Sequence, residues 1–315
     1  MSSERTAVAR TVAARLGSVG VWTFDLDVLP VAEAAAVARA AEDLGFGSLW
    51  IAEGAASREA LTHAAVLLGA TERLVVGTGI ASIWARDPVA TAAGARTLAD
   101  AFPDRFVLGL GVSHAGAVGR RGHVYAERPV AHMREYLDRM DAATLNSPAP
   151  PRRAARVLAA LRERMTRLAA DRTDGAHTYF VPVAHTRRTR AVLGQGPLLV
   201  VELAAVLDED PESARRTARR HTAHYLAREN YRRNLQSLGL GGVDGDLAAG
   251  GSDDVVDTLV AWGDDAAVRA RVQEHLDAGA DHVVLQPLGA GTGAEGAIAM
   301  LRRVAGAVVV DRTRP

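Results

Sequence analysis

Apolar and polar positions alternate in blocks along this chain, and the blocks change period as they go. Short runs apolar on both faces, such as Phe106 to Leu110 (F-V-L-G-L), suit strands buried on both sides of a parallel sheet. Between them lie alanine-rich stretches with apolar residues at helical spacing. Gly17–Thr23, Ser48–Ala52, Leu74–Ile80 and Phe106–Leu110 read as four strands. Val31–Leu44, with Gly45 as C-cap, a helix capped by Ser57 and running to Ala70, and Pro88–Phe102 read as the helices between them. Beyond residue 120 the pattern is less regular. Ala155–Ala160, Gly175–Val181, Leu198–Val206 and Asp281–Gln286 read as four more strands. Helices are expected over Val130–Thr144, Glu163–Asp171, Pro211–Leu238, Val268–Ala278 and Ala294–Val304, with Ser252 capping a further one. Leu240–Ser252 is glycine-rich and reads as a flexible loop. Eight strands alternating with helices predict one α/β domain over 1–315, a (β/α)8 TIM barrel with insertions.

Composition narrows the chemistry. The chain has no cysteine and no lysine; its basic side chains, histidine aside, are all arginine. That excludes thiol catalysis, thiolate metal sites, Schiff-base lysines and a phosphate-loop lysine. With 37 basic and 37 acidic residues the formal net charge is zero, so no nucleic-acid partner is expected. No apolar run approaches the roughly 20 residues that span a bilayer. Met1–Leu16 reads as an amphipathic helix covering one end of the domain, and the expected compartment is the cytoplasm.

Candidate chemistry gathers where strands end, because the carboxyl rim of a barrel carries the active site. Gly109 and Gly111 clear space at the end of the fourth strand, and Ser113 and His114 emerge just beyond. His114 sits among small residues with no core to fill, and is the first candidate for a proton-transfer group. Glu53 holds the equivalent place after the second strand and Trp22 after the first. Trp22, Trp84, His123 and Tyr125 are candidates to line a substrate pocket. Gly111-Val-Ser113-His-Ala115 has the outline of a hydrolase nucleophile elbow, but that motif needs a helix directly after the serine. Gly116, Gly119 and Gly122 predict no such helix. Gly291-Thr-Gly293-Ala-Glu-Gly296 matches a dinucleotide fingerprint, yet too little chain follows for such a domain; a glycine-rich loop able to hold a phosphate at a helix N-terminus is the simpler reading. His221 and His224 are three apart among arginines, as on a solvated helix face, and His63 reads as structural. No metal site is expected.

Taken together, G-V-W-T at 20–23, L-W-I-A-E at 49–53, V-V-G-T-G-I at 75–80, R-F-V-L-G-L-G-V-S-H at 105–114, Y-A-E-R-P-V-A-H-M-R-E-Y-L-D at 125–138 and A-G-A-D-H-V-V-L-Q at 278–286 resemble the luciferase-like monooxygenase superfamily, in particular its branch using the deazaflavin coenzyme F420. The resemblance implies a deazaflavin across the barrel's rim and hydride transfer to or from a small organic substrate. It also implies a bulge and a non-proline cis peptide at Gly79-Ile80, behind the cofactor's central ring, with Gly111, Val112 and Ser113 at the cofactor and His114 in the acid–base position. Where relatives carry an acid and then a histidine after the second strand, this chain reads Glu53-Gly54. Where close relatives read A-A-L-G-P-x-M, it reads A-A-L-R-E-R-M at 159–165; Arg162 is then placed either to bind the cofactor's phosphate or acidic tail or to obstruct the pocket. The alternatives are an FMN-dependent monooxygenase on the same fold and a non-catalytic cofactor-binding or scaffold protein. The family habit implies a homodimer.

Overall fold

The computed structural model describes residues 3–241 and 249–309. Eight parallel strands close on themselves. β1 (Val19–Thr23), β2 (Ser48–Ile51), β3 (Val75–Thr78), β5 (Phe106–Gly111), β6 (Ala155–Ala159), β7 (Gly175–Thr178), β8 (Leu198–Val206) and β10 (His282–Pro287) pair in that order, and β10 also pairs with β1. Eight helices form an equally closed outer ring: α2 (Val31–Asp43), α3 (Ala60–Gly69), α4 (Pro88–Ala101), α6 (Pro129–Asp141), α7 (Glu163–Arg172), α8 (Val183–Leu193), α12 (Asp265–Asp277) and α13 (Gly293–Val308), each against the next and the last against the first. This is the (β/α)8 barrel that the alternation predicts. Every residue of β5 and β8 is buried, as parallel strands covered on both faces require.

The amino-terminal helix α1 (Ser3–Leu16) closes one end of the barrel. Its Val8, Val12 and Leu16 pack with Trp50, Val75, Val107, Val157, Val200 and Val284 inside the barrel. At the opposite end, an insertion after β8 builds a second core on the rim from α9 (Pro211–Leu226), α10 (Glu229–Ser237), α11 (Asp253–Leu259) and β9 (Val260–Trp262). Leu240–Ser252, the expected flexible loop, lies mostly outside the described residues. Ser252 does cap α11, accepting from the Val255 N–H.

Several expectations are corrected. The predicted Pro211–Leu238 helix is two helices, broken at Ala227–Arg228. α8 and β9 were not foreseen, although Pro182 and Gly194 bracket α8 with ordinary start and stop residues. α3 is capped not by Ser57 but by the Glu59 carboxylate, which accepts from Leu61 N and Thr62 N; Ser57 Oγ accepts from Gly54 N instead. A helix does follow Ser113 directly: α5 (Ala115–Arg120), with Ser113 at φ +58°. The glycines argued against it, but a six-residue helix is set by tertiary contacts more than by propensity. Among the described residues Ser113 Oγ has no histidine hydrogen-bonded to it, so the elbow geometry lacks its base.

The third strand ends in a bulge. Between Gly77↔Val107 and Ala81↔Leu110, where the two-residue strand β4 (Ala81–Ser82) pairs with β5, this side advances four residues while β5 advances three. The extra residue sits at Gly79–Ile80, whose peptide bond is cis. Thr78 Oγ1 bridges the broken ladder, donating to Gly109 O (2.8 Å) and accepting from Gly109 N (2.9 Å). A β-carbon on Gly109 would collide with Thr78 O, so only glycine permits this approach.

Candidate functional site

A cavity of about 940 Å³ opens at the carboxyl rim. Nine of the expected site residues line it: Trp22, Glu53, Gly79, Ile80, Gly111, Val112, Ser113, His114 and Arg162. Its volume falls within the usual range of small-molecule and cofactor sites, roughly 300–1,000 Å³.

Its floor is the bulge. Trp22 Nε1 donates to Gly79 O (3.1 Å), Gly79 N donates to Ile51 O (2.6 Å), and Glu53 N donates to Ile80 O (3.1 Å). A β-carbon on Gly79 would stand 2.5 Å from Trp22 Nε1 and 3.1 Å from His177 Nε2. His177 itself is 2% exposed, stacks on Trp50 and has no well-formed hydrogen bond on either ring nitrogen among the described residues. Burial lowers its pKa to about 4.

His114 occupies the N-cap position of α5 without a side-chain capping bond, at the cavity wall, with its ring 5.6 Å from that of Tyr231. Burial first, then the neighbouring Arg228 and His224, lower its pKa to about 4. It is therefore a neutral imidazole near pH 7, able to accept a proton or to share one in a hydrogen bond.

Glu53 is buried with both oxygens engaged. Oε2 accepts from Ser82 N (2.8 Å), while Oε1 accepts from Ala60 N (3.2 Å) and pairs with Arg86, whose guanidinium also reaches Glu59 at 2.6 Å. The carboxylate thus ties β4, the start of α3 and Arg86 together beneath the cavity.

Trp84, His123 and Tyr125 do not line the cavity. Trp84 Nε1 donates to Val112 O (2.9 Å) and its ring stacks on His132 (4.6 Å), with His123 and Tyr125 around it. Their indole and imidazole rings form a separate cluster outside the wall, where they hold the loop after β5. His221 is not on a solvated face: its ring packs among Tyr179, Phe180 and Tyr225, and burial lowers its pKa to about 4.

Two groups of cavity residues escaped sequence reasoning. Tyr179, Tyr225 and Tyr231, three of only five tyrosines, converge from β7's end, α9 and α10. Tyr179 Oη lies 2.6 Å from Tyr225 Oη and 2.7 Å from Gln286 Oε1. The second group is Arg120, Arg128 and Arg164, which line the cavity with Arg162. Among the described residues none of these four side chains has an ion-pair partner; of the cavity's acids, Glu53 and Glu163 are paired with Arg86 and Arg167, and Glu127 makes no ion pair.

A closed parallel barrel with a glycine-floored cavity at its carboxyl rim defines the class, a (β/α)8 barrel with a rim site. The model of the luciferase-like monooxygenase family matches residues 11–282, and the chain belongs to that family. A stretch of 100 residues is 40% identical to a Mycobacterium tuberculosis protein named "Putative coenzyme F420-dependent oxidoreductase"; the match spans 31% of this chain and 28% of that relative's length. Among solved structures, the chain resembles an F420-dependent secondary alcohol dehydrogenase in complex with an F420-acetone adduct (TM-score 0.72, 15% identity, 93% and 99% of the two chains). It also resembles the oxygenating constituent of 3,6-diketocamphane monooxygenase from Pseudomonas putida, in complex with FMN (TM-score 0.69, 15% identity, 93% and 98%). At these identities the structural likeness speaks for the fold.

Proposed function

We propose that this chain is an F420-dependent oxidoreductase that binds the deazaflavin across the carboxyl rim and exchanges a hydride with a small organic substrate. The observation that carries the reading is a set of arginines without ion-pair partners among the described residues, Arg120, Arg128, Arg162 and Arg164, in the cavity lining. Guanidinium groups are suited to phosphates and carboxylates. A deazaflavin with a phosphate and an acidic tail supplies several such groups; FMN supplies one phosphate. On this reading Arg162 binds the tail instead of obstructing the pocket. The glycines at 79 and 111 let Trp22 and Ile80 pack closely against the floor, which keeps it flat.

When bound, the deazaflavin would supply the hydride acceptor or donor. The chain's own residues do the rest. Trp22 holds the Gly79 carbonyl and so the floor. Glu53, expected as an acid–base group, serves here through its bonds to Ser82, Ala60 and Arg86, which position the neighbouring loops. His114 takes up the proton of a substrate hydroxyl, or returns it to a carbonyl oxygen. Its neutral form fits the first role directly.

Absorbance and fluorescence titration with F420 and with FMN tests the reading. F420 is expected to bind more tightly, with an affinity that falls as salt rises and falls again in Arg162→Ala/Arg164→Ala. Preference for FMN would move the protein to the monooxygenases of the fold, and affinity for neither would favour a scaffold.

A further inference from the structure

The part of the lining contributed by the insertion after β8 has a different chemistry. Helix α10 belongs to the insertion after β8 and presents Asn230, Tyr231, Asn234 and Ser237 to the cavity, with Arg228 at its amino end. Asn234 is 3% exposed, and its Nδ2 amide has no hydrogen-bond partner among the described residues. A buried amide donor left unpaired is destabilising, and a ligand acceptor would remove that cost. Tyr231 and Asn234 are three apart on the helix and so are surface neighbours. Tyr231 is the residue whose ring faces His114.

Arg228 supplies the charge. It has no carboxylate partner among the described residues; its guanidinium is oriented instead over the Tyr225 ring (5.6 Å) and by donating to His224 Nε2 (2.7 Å). It is also near enough to His114 to disfavour the imidazolium. Around this positive edge the walls are rings: Trp22, Tyr179, Tyr225 and Tyr231.

We infer that Arg228 and Asn234 form a carboxylate subsite, and that the substrate is a hydroxy or oxo acid with an apolar or aromatic body. The inference rests on the proposed function for the words hydroxy and oxo; the carboxylate subsite stands on the residues alone. The guanidinium and the amide both donate, which suits the two oxygens of a carboxylate. The rings take the apolar body, and a cationic substrate would meet Arg228 unfavourably.

Calorimetric titration of the purified full chain, with and without F420, uses phenylacetate and its neutral isostere phenylacetamide as probes. Phenylacetate is expected to bind about tenfold or more tightly than the amide, in keeping with a charge-assisted hydrogen bond. Arg228→Gln should abolish that preference and Arg228→Lys restore part of it. Asn234→Leu should weaken both probes, and Arg162→Ala should leave the preference intact. Equal binding of the two probes overturns the inference. So does a preference that survives Arg228→Gln, or one that disappears with Arg162→Ala, which would put the anion in the tail region. A preference that depends on Arg228 in a protein that binds no F420 would support the subsite while refuting the cofactor reading. Circular dichroism of each variant separates lost binding from lost fold.

Discussion

Trp22 Nε1 donates to the carbonyl oxygen of Gly79, 3.1 Å away, and so ties the end of the first strand to the bulge of the third. Removing that donor leaves a buried carbonyl unpaired. Trp22→Phe should therefore cost about 1–3 kcal/mol in denaturant unfolding and should weaken F420 binding by loosening the floor. Gly79→Ala should be worse for binding, because the added carbon meets both the indole and His177. Wild-type F420 affinity in both variants would show that the floor does not contact the cofactor.

His114→Ala should lower turnover by roughly 10²–10⁴ if the imidazole is the proton partner. F420 affinity should change little. Because the folded pKa is about 4, wild-type turnover should be flat near neutrality and fall only as pH drops towards that value. Full turnover with a reduced melting temperature in the variant would leave His114 as a loop anchor only.

Glu53→Ala removes one partner of a buried ion pair, since the Glu53 and Arg86 side chains are 1% and 10% exposed. A loss of about 3–5 kcal/mol is expected from thermal or denaturant unfolding. Unchanged stability with abolished chemistry would return Glu53 to an acid–base role.

Acid should destabilise the fold between about pH 6.5 and 4. His114, His177, His221 and His282 have pKa values lowered to about 4 and His275 to about 3, chiefly by burial. In that window the unfolded chain binds protons that the folded chain does not, so stability rises with pH there and is lost on acidification. Unfolding at pH 5 should take up several protons, measurable by calorimetry in buffers of different ionisation enthalpy.

Glu202 should act with the opposite sign. It is 1% exposed inside the barrel, with Oε2 accepting from Phe180 N, and burial raises its pKa to about 8. Between pH 4.5 and 8 the folded state holds a proton that the unfolded state releases, so this group's contribution declines as pH rises. Glu202→Gln should accordingly raise the melting temperature relative to wild type at pH 8 and match it at pH 5. A variant less stable than wild type at both pH values would show that the carboxyl makes contacts an amide cannot replace.

Local pattern was enough for the barrel. Apolar runs such as Phe106–Leu110 and Leu198–Val206, the latter interrupted only by Glu202, read as buried parallel strands, and periodicity with helix stop residues such as Gly45 and Gly279 marks what lies between. Rim glycines and His114 were legible for the same reason: position relative to a strand end is a one-dimensional fact. What needed the tertiary structure was convergence. Nothing near Arg120, Arg128, Arg162 and Arg164 in the chain says that they meet in one cavity lining without forming ion pairs. Tyr179, Tyr225 and Tyr231 lie up to 52 residues apart. Trp84, His123 and Tyr125 looked like pocket residues because they fall in rim loops, yet packing turned their rings onto one another and onto His132. Glu53 stands at a strand end in the sequence, but only folding shows that Ser82, Ala60 and Arg86 already engage its carboxylate. Which side chains meet, and which are already satisfied when they do, depends on long-range packing that sequence spacing does not encode.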